Sequence, residues 1–171
     1  MQILSIVNVN QNYELALHNS SNSKYITGQD SVKNMHSSIK ELLCNTRPDV
    51  IHIITGPGSF TSLRIAIITA RTLGIVYNTS VKGCSIFDCV KGRIILATGT
   101  NLYLMFDQVE SLKEEDDIDF SVPFMSNVCA LECKAGFSPL PNLINSMHEY
   151  FAHNGTSNLD PYYPIKPKFL V

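Results

Sequence analysis

The stretch that most constrains the fold is a short apolar run followed by a glycine-rich turn and a long apolar segment. Residues 50–54 read Val-Ile-His-Ile-Ile, and Pro48 just before them ends any preceding helix. A run this short and this rich in β-branched residues is typical of a parallel strand covered on both faces. Parallel strands need crossover connections, which are usually helical, so the chain is predicted to be an α/β protein.

The segments before this run predict three strands and a helix. Residues 2–9 are mostly apolar, residues 13–17 alternate in polarity, and residues 24–27 follow a polar turn. From Asp30 the apolar period changes to three or four, which predicts a helix that Asp30 or Ser31 caps and that ends near Cys44. Its apolar positions are Val32, Met35, Ile39 and Leu42.

A second helix, predicted over residues 59–77, has two apolar stripes rather than one. At 100° per residue, one stripe holds Phe60, Leu63, Ile67, Ala70 and Gly74, and the other holds Ile65, Ile68, Ile75 and Val76. A surface helix needs a single apolar stripe. Either the chain covers both stripes itself, or one stripe meets the sheet and the other meets a partner.

The second half repeats this order more loosely. Two strands are predicted at residues 93–97 and 102–106, the acidic run at 114–117 is predicted to be a solvated loop, and residues 143–151 carry one apolar helical face. We therefore expect a ribonuclease H-like lobe with a mixed sheet and flanking helices at residues 1–90. A shortened second lobe of similar type follows at residues 91–171.

Charge and composition limit the function classes. The chain of 171 residues has 13 Lys and Arg against 15 Asp and Glu, so its net charge of −2 argues against electrostatic binding of nucleic acid. Five cysteines, an odd number, fit a reducing compartment better than a disulfide framework. No apolar run approaches the roughly 20 residues of a membrane span, so a cytoplasmic protein is predicted.

Chemical motifs are sparse. The glycine turn could present helix amides to a phosphate, but it lacks the Lys of a Walker loop and the third Gly of a dinucleotide fingerprint, so a structural turn is favoured. The five histidines, at positions 18, 36, 52, 148 and 153, form no signature, and His52 is predicted to be a core residue. No catalytic residue, metal ligand or cofactor is predicted.

Residues 56–65 carry a family resemblance. They read Gly56-Pro57-Gly58-Ser59-Phe60-Thr61-Ser62-Leu63-Arg64-Ile65, which resembles the Gly-Pro-Gly-Ser-Phe-Thr-Gly-Leu-Arg-Ile-Gly signature of the bacterial TsaB (YeaZ) family. The start of the chain and residues 81–85 also fall where that family has counterparts. The similarity is good over residues 1–90 and faint beyond.

The resemblance implies an actin-like ATPase fold in a subunit that is not itself a catalyst. Such proteins pair with TsaD through their first-lobe helices, and TsaE joins them, to install N6-threonylcarbamoyl on adenosine 37 (t6A) of ANN-decoding tRNAs. tRNA would reach this subunit only through the complex, and without TsaD a homodimer is expected. Nothing in the sequence supports the peptidase chemistry that older names for the family suggest.

Departures from the family pattern favour the same interpretation. Residues 7–9 read Val-Asn-Val where the family commonly has Asp-Thr-Ser, which removes a carboxylate that a phosphotransferase would use near its metal. The predicted association surface is Val32, Met35, Ile39, Leu42, Phe60, Leu63, Ile67 and Ala70. Two alternatives stay open: a residual hydrolase or nucleotide-binding ATPase that uses the glycine loop, and a degenerate paralogue without TsaD.

Overall fold

The computed structural model describes residues 1–8, 12–29, 32–56, 58, 60–89, 142–154 and 157–161, together with the backbone of five strands between residues 94 and 139. Its elements, in chain order, are β1 (Ile3–Val7), β2 (Asn12–His18), β3 (Ser23–Gln29), α1 (Val32–Leu43), β4 (Val50–Ile54), α2 (Phe60–Tyr77), β5 (Ser80–Cys84), α3 (Ile86–Cys89), β6 (Ile94–Ala97), β7 (Leu102–Asp107), β8 (Val109–Glu114), β9 (Pro123–Ser126), β10 (Ser138–Pro139) and α4 (Leu143–His153).

The first sheet is mixed, with the strand order β3-β2-β1-β4-β5. β1, β2 and β3 pair antiparallel, and β1, β4 and β5 pair parallel. The helices α1 and α2 supply the crossovers that the parallel pairs require. This order and these directions are those of the predicted ribonuclease H-like lobe, so the predicted fold class is confirmed.

The second sheet repeats the same topology. Its order is β10-β9-β6-β7-β8, in which β6, β7 and β8 pair antiparallel while β6, β9 and β10 pair parallel. When β6 is matched to β1, the strands β7, β8, β9 and β10 match β2, β3, β4 and β5 in order and direction. The strands of the second sheet are shorter than those of the first. The second lobe is therefore of similar type to the first.

The main core lies between α1, α2 and one face of the first sheet. Leu4 and Ile6 of β1, with Ile51 and Ile53 of β4, point to this face and are fully buried there. Successive side chains of a strand alternate between faces, so the residues between them point the other way. That second face is met by α4, whose His148 contacts Ser5.

The chain divides into two compact units, residues 1–89 with 144–171, and residues 90–143. From Ile144 onward the helix α4 belongs to the first unit, and its His148 and Phe151 contact residues of the first sheet. The lobe boundaries predicted from the sequence, residues 1–90 and 91–171, remain a prediction, because grouping residues by their contacts does not test which segments fold as units. In terms of contacts, the chain after residue 143 returns to the first lobe.

The boundaries of the helices follow local chemistry. α1 ends where Cys44 and Asn45 adopt positive φ of 44° and 67°, and α2 ends just before Asn78, which has a φ of 46°. The predicted capping residues Asp30 and Ser31 lie outside the described residues.

By length and mean hydropathy (1.3) α2 could cross a membrane, but 39% of that segment is buried inside the protein.

Candidate functional site

A groove separates α1 from α2 on the side of the helices away from the sheet. Its volume is about 570 Å³, within the roughly 300–1,000 Å³ of typical binding sites. Buried Ile39, Leu43 and Thr69 lie among its lining residues, together with half-buried Ile65 and Leu73 and exposed Val32 and Ile68. A hydrogen bond of 3.1 Å between His36 Nε2 and Thr69 Oγ1 joins the two helices across it.

Beside the groove α2 presents apolar side chains to solvent. The exposed fractions are 61% for Ile68, 82% for Ile75 and 69% for Val76, and Val32 of α1 is 46% exposed. Single apolar residues are common on protein surfaces, but a contiguous group of large ones marks an interaction site. The helix pair therefore carries an uncovered apolar stripe.

This stripe is not the one selected from the sequence. Six of the eight predicted interface residues are buried against the sheet: Met35, Ile39, Leu42, Leu63, Ile67 and Ala70. Only Val32 is exposed, while Phe60 is half-buried with the Arg64 guanidinium 4.8 Å from its ring centre. Both stripes are apolar, so helical periodicity separates them but does not decide which one meets the sheet. In the structure the α2 stripe that faces solvent holds Ile68, Ile75 and Val76, with Ile65 half-buried beside them.

The glycine loop connects β4 to α2 and is tied to the start of α3. Gly56 is buried with φ of 129°, a conformation that favours glycine. Its carbonyl accepts a hydrogen bond of 2.7 Å from the Ile86 amide, and the Thr55 amide donates to the Cys84 carbonyl at 2.8 Å. Gly58 is half-buried, and Thr61 is exposed in the first turn of α2. The loop residues Pro57 and Ser59 lie outside the described residues.

Asn8 occupies the end of β1, next to this loop in space. Its side chain is fully buried, and Nδ2 donates to the Ser62 carbonyl at 3.3 Å. The amide therefore links the end of β1 to the first turn of α2. Asn8 directly follows Val7, so a buried amide in a structural hydrogen bond, rather than a carboxylate, stands at this end of the strand.

Three histidines that are far apart in the sequence meet between the sheet and α4. The ring centres of His18 and His148 are 4.1 Å apart, and those of His52 and His148 are 5.5 Å apart. His148 Nε2 is 2.9 Å from Ser5 Oγ, while the buried atoms His18 Nε2 and His52 Nδ1 have no hydrogen-bond partner among the residues that the structure describes. Sequence reasoning missed this cluster, although it placed His52 in the core. The alternation of side chains along a strand is a signal that puts Ser5 and His52 on the same face of the sheet. His148, which completes the cluster, lies 96 residues after His52, and no local pattern connects the two.

The environment keeps these imidazoles uncharged. Burial lowers the pKa of His52 to about 3, and repulsion by Lys82 and by His148, whenever that ring is protonated, acts in the same direction. Burial, followed by the effect of His18, lowers the pKa of His148 to about 4, and burial also lowers the pKa of His18. Charged imidazolium is disfavoured at this interface because water is excluded from it.

The Ser5 and His148 pair has the hydrogen bond of a nucleophile and base, but its position does not suit catalysis. Ser5 is fully buried beneath α4, so its hydroxyl is out of reach of a substrate in this arrangement. A base with a pKa of about 4 is also poorly matched to proton transfer near neutral pH. Within the described part of the chain, no group of three or more His, Cys, Asp or Glu side chains could hold a metal ion.

Comparison with known proteins identifies the fold. The chain is similar to YeaZ from Pseudomonas aeruginosa, with a TM-score of 0.65 and 13% identity over 95% of this chain and 99% of that one. It is similar also to an uncharacterized protein with similarity to peptidase YeaZ from Pseudomonas aeruginosa, with a TM-score of 0.67 and 14% identity over 95% and 98%. No protein-family model and no curated protein matches the sequence. The chain has a YeaZ-like fold.

Proposed function

We propose that this chain, which has a YeaZ-like fold, is a non-catalytic subunit that binds TsaD and supports t6A modification of adenosine 37 in ANN-decoding tRNAs. The fold and the glycine signature at residues 56–65 support this assignment. The observation that carries it is the uncovered apolar stripe of α2 beside the α1/α2 groove. That stripe lies on the first-lobe helices, which are the elements that the family resemblance implies for the TsaD contact.

The exposed side chains are large enough to drive association. Removing an Ile or Val side chain from water contributes roughly 1.5–3 kcal/mol when burial is complete. Because Ile68, Ile75, Val76 and Val32 are already partly covered, burying what remains exposed contributes roughly 4–8 kcal/mol toward association, before the costs of association and ordering. In the absence of TsaD the same stripe would be covered by a second copy of the chain.

The other partners follow from the same assignment. TsaE joins the complex, tRNA reaches this subunit only through it, and the assembly works in the cytoplasm without a cofactor on this chain. The chain itself supplies no catalytic residue in this proposal. Its buried Asn8 amide and the inaccessible Ser5 hydroxyl are consistent with a supporting role.

A cellular test uses the t6A content of tRNA. The gene is depleted and complemented with the wild-type chain, with Ile68→Glu, or with Ser37→Glu, and t6A is measured by mass spectrometry of tRNA nucleosides. Ser37 is an exposed residue of α1 that is not among the groove-lining residues, so it controls for an added carboxylate on the same helix pair. We expect t6A to fall with Ile68→Glu and to be restored by wild type and by Ser37→Glu.

Two results would redirect the assignment. Full t6A with Ile68→Glu, in a strain where depletion lowers t6A, would remove the stripe from the TsaD contact. Unchanged t6A on depletion would favour a degenerate paralogue. The ATPase alternative is tested separately, since it requires nucleotide binding that a bulky residue at Gly58 abolishes.

A further inference from the structure

The charges that border the α1/α2 groove have one sign. Lys40 of α1 is among its lining residues, and the described lining contains no Asp or Glu. On the far side of the exposed α2 stripe stand Arg64 and Arg71, both exposed, and α2 contains no acidic residue. Glu41 of α1 is about 160° around the helix from the centre of the groove-lining positions, because each residue advances by about 100°.

The dimensions suit a helix. The stripe runs from Ile65 to Val76 of α2, which corresponds to roughly 17 Å at 1.5 Å per residue, so it can follow about three turns of a second helix. The groove beside it has space of about 570 Å³ and an apolar floor that includes Ile39 and Leu43. An amphipathic helix with anchors at i, i+3, i+4 and i+7 is the usual occupant of such a groove.

We propose that the groove receives one amphipathic helix of the partner, with an apolar face that fills it and with Asp or Glu on its flanks beside Lys40 and Arg71. This inference rests on the proposed function and specifies the chemistry of the partner surface. The apolar anchors supply most of the affinity. The flanking carboxylates supply orientation and selectivity, because rim charges act mainly on the association rate and on the choice of partner.

The same charges act against a second copy of this chain. A two-fold contact through this face brings Arg64, Arg71 and Lys40 of one copy near the same cations of the other, and like charges repel. A homodimer formed here is therefore strengthened by salt, whereas the complex with an acidic helix is weakened by it. The opposite salt dependence therefore distinguishes an acidic partner helix from a second copy of this chain as the occupant of the groove.

Two designed peptides test the inference on the intact protein. Both are fluorescein-labelled amphipathic helices of about 20 residues with identical Leu anchors, one with Glu flanks and the other with Lys flanks. Binding is followed by fluorescence anisotropy at about 50 and 500 mM NaCl, between which the Debye length shrinks from roughly 14 to 4 Å. The whole chain has a net charge of −2, so a preference for the Glu peptide reports the local surface.

We expect the Glu peptide to bind about tenfold more tightly than the Lys peptide at low salt, because two or three exposed ion pairs at the rim each change the affinity by a few-fold. At high salt this preference should fall below about threefold, because salt screens the ion pairs. The double variant Lys40→Glu with Arg71→Glu should reverse the preference, while Ser37→Glu should retain it. Circular dichroism confirms that each variant is folded.

Equal affinity of wild type for the two peptides, a preference for the Lys peptide, or no binding of either at about 500 μM overturns the inference. These outcomes are independent of the proposed function, which is decided by binding of TsaD itself. If TsaD binds and Ile68→Glu abolishes that binding while the peptides show no preference, the function stands and the acidic helix is excluded. If the Glu peptide is preferred but TsaD does not bind, the surface chemistry stands and the partner is another protein.

Discussion

Acidification should destabilise the first lobe through the histidines that lie beneath α4. His52 and His148 have pKa values lowered to about 3 and about 4 in the folded chain. In the unfolded chain a histidine has a pKa of about 6.5, so below that pH the unfolded state binds protons that the folded state excludes. The stability that depends on neutral imidazole is therefore complete above pH 6.5 and is lost as the pH falls toward the folded values.

The magnitude follows from the two pKa values. Between pH 7 and pH 5, a histidine that stays neutral when folded and titrates freely when unfolded costs about 1.9 kcal/mol. His52 is 5% exposed and should contribute nearly all of this. His148 is half-buried, and halving its share to allow for solvent screening gives a total loss of about 3 kcal/mol. The lowered pKa of His18 acts in the same direction.

Urea unfolding followed by far-ultraviolet circular dichroism measures this loss at pH 7.0 and pH 5.0. The matched variant is His52→Leu, which keeps an apolar side chain of similar size at the same place in β4. Its pH-dependent loss should shrink to about 1 kcal/mol, because only the His148 share remains. A wild-type stability that changes by less than about 0.5 kcal/mol would refute the argument that these imidazoles are buried and neutral. An unchanged loss in His52→Leu would place the titrating groups elsewhere.

Two further predictions concern contacts near the glycine loop. Gly83→Ala should destabilise the chain by about 1–3 kcal/mol in the same urea assay, because the new Cβ would overlap the Asn158 carbonyl and break the exchange of hydrogen bonds with Ser157 and Asn158. A stability equal to wild type would mean that the C-terminal segment does not pack on β5. Asn8→Asp should also cost about 1–3 kcal/mol, since a carboxylate has no donor for the Ser62 carbonyl, and a neutral effect would show that this hydrogen bond does not stabilise the lobe.

Much of the first lobe could be predicted because its sequence patterns are local. The run of β4 and the alternation of β2 appear where the sequence predicted strands. The helix α1 ends at Leu43, just before the predicted stop near Cys44. The strands β5, β8 and β10 were not predicted. β5 contains Lys82 and Gly83 and is exposed at its start, so its five residues show no clear alternation.

What could not be predicted depended on tertiary contacts. Both stripes of α2 are apolar, so only packing on the sheet decides that Leu63 and Ile67 turn inward while Ile68 and Ile75 face solvent. The histidine cluster needs α4 to return to the first lobe after the second unit of residues 90–143, and His18, His52 and His148 have no common motif. Their separation in sequence, rather than their residue type, concealed them.

Size-exclusion chromatography with light scattering tests directly whether the exposed stripe of α2 is the surface that binds TsaD. The chain is mixed at micromolar concentration with TsaD from the same cell, using the wild type, Ile68→Glu and the control Ser37→Glu.

Alone, the wild-type chain should elute as a homodimer of twice its 19.0 kDa mass. With TsaD, both the wild type and Ser37→Glu should form a 1:1 complex, whereas Ile68→Glu should remain separate from TsaD. Wild-type chain that never joins TsaD, or Ile68→Glu that joins it as tightly as wild type, would contradict the account.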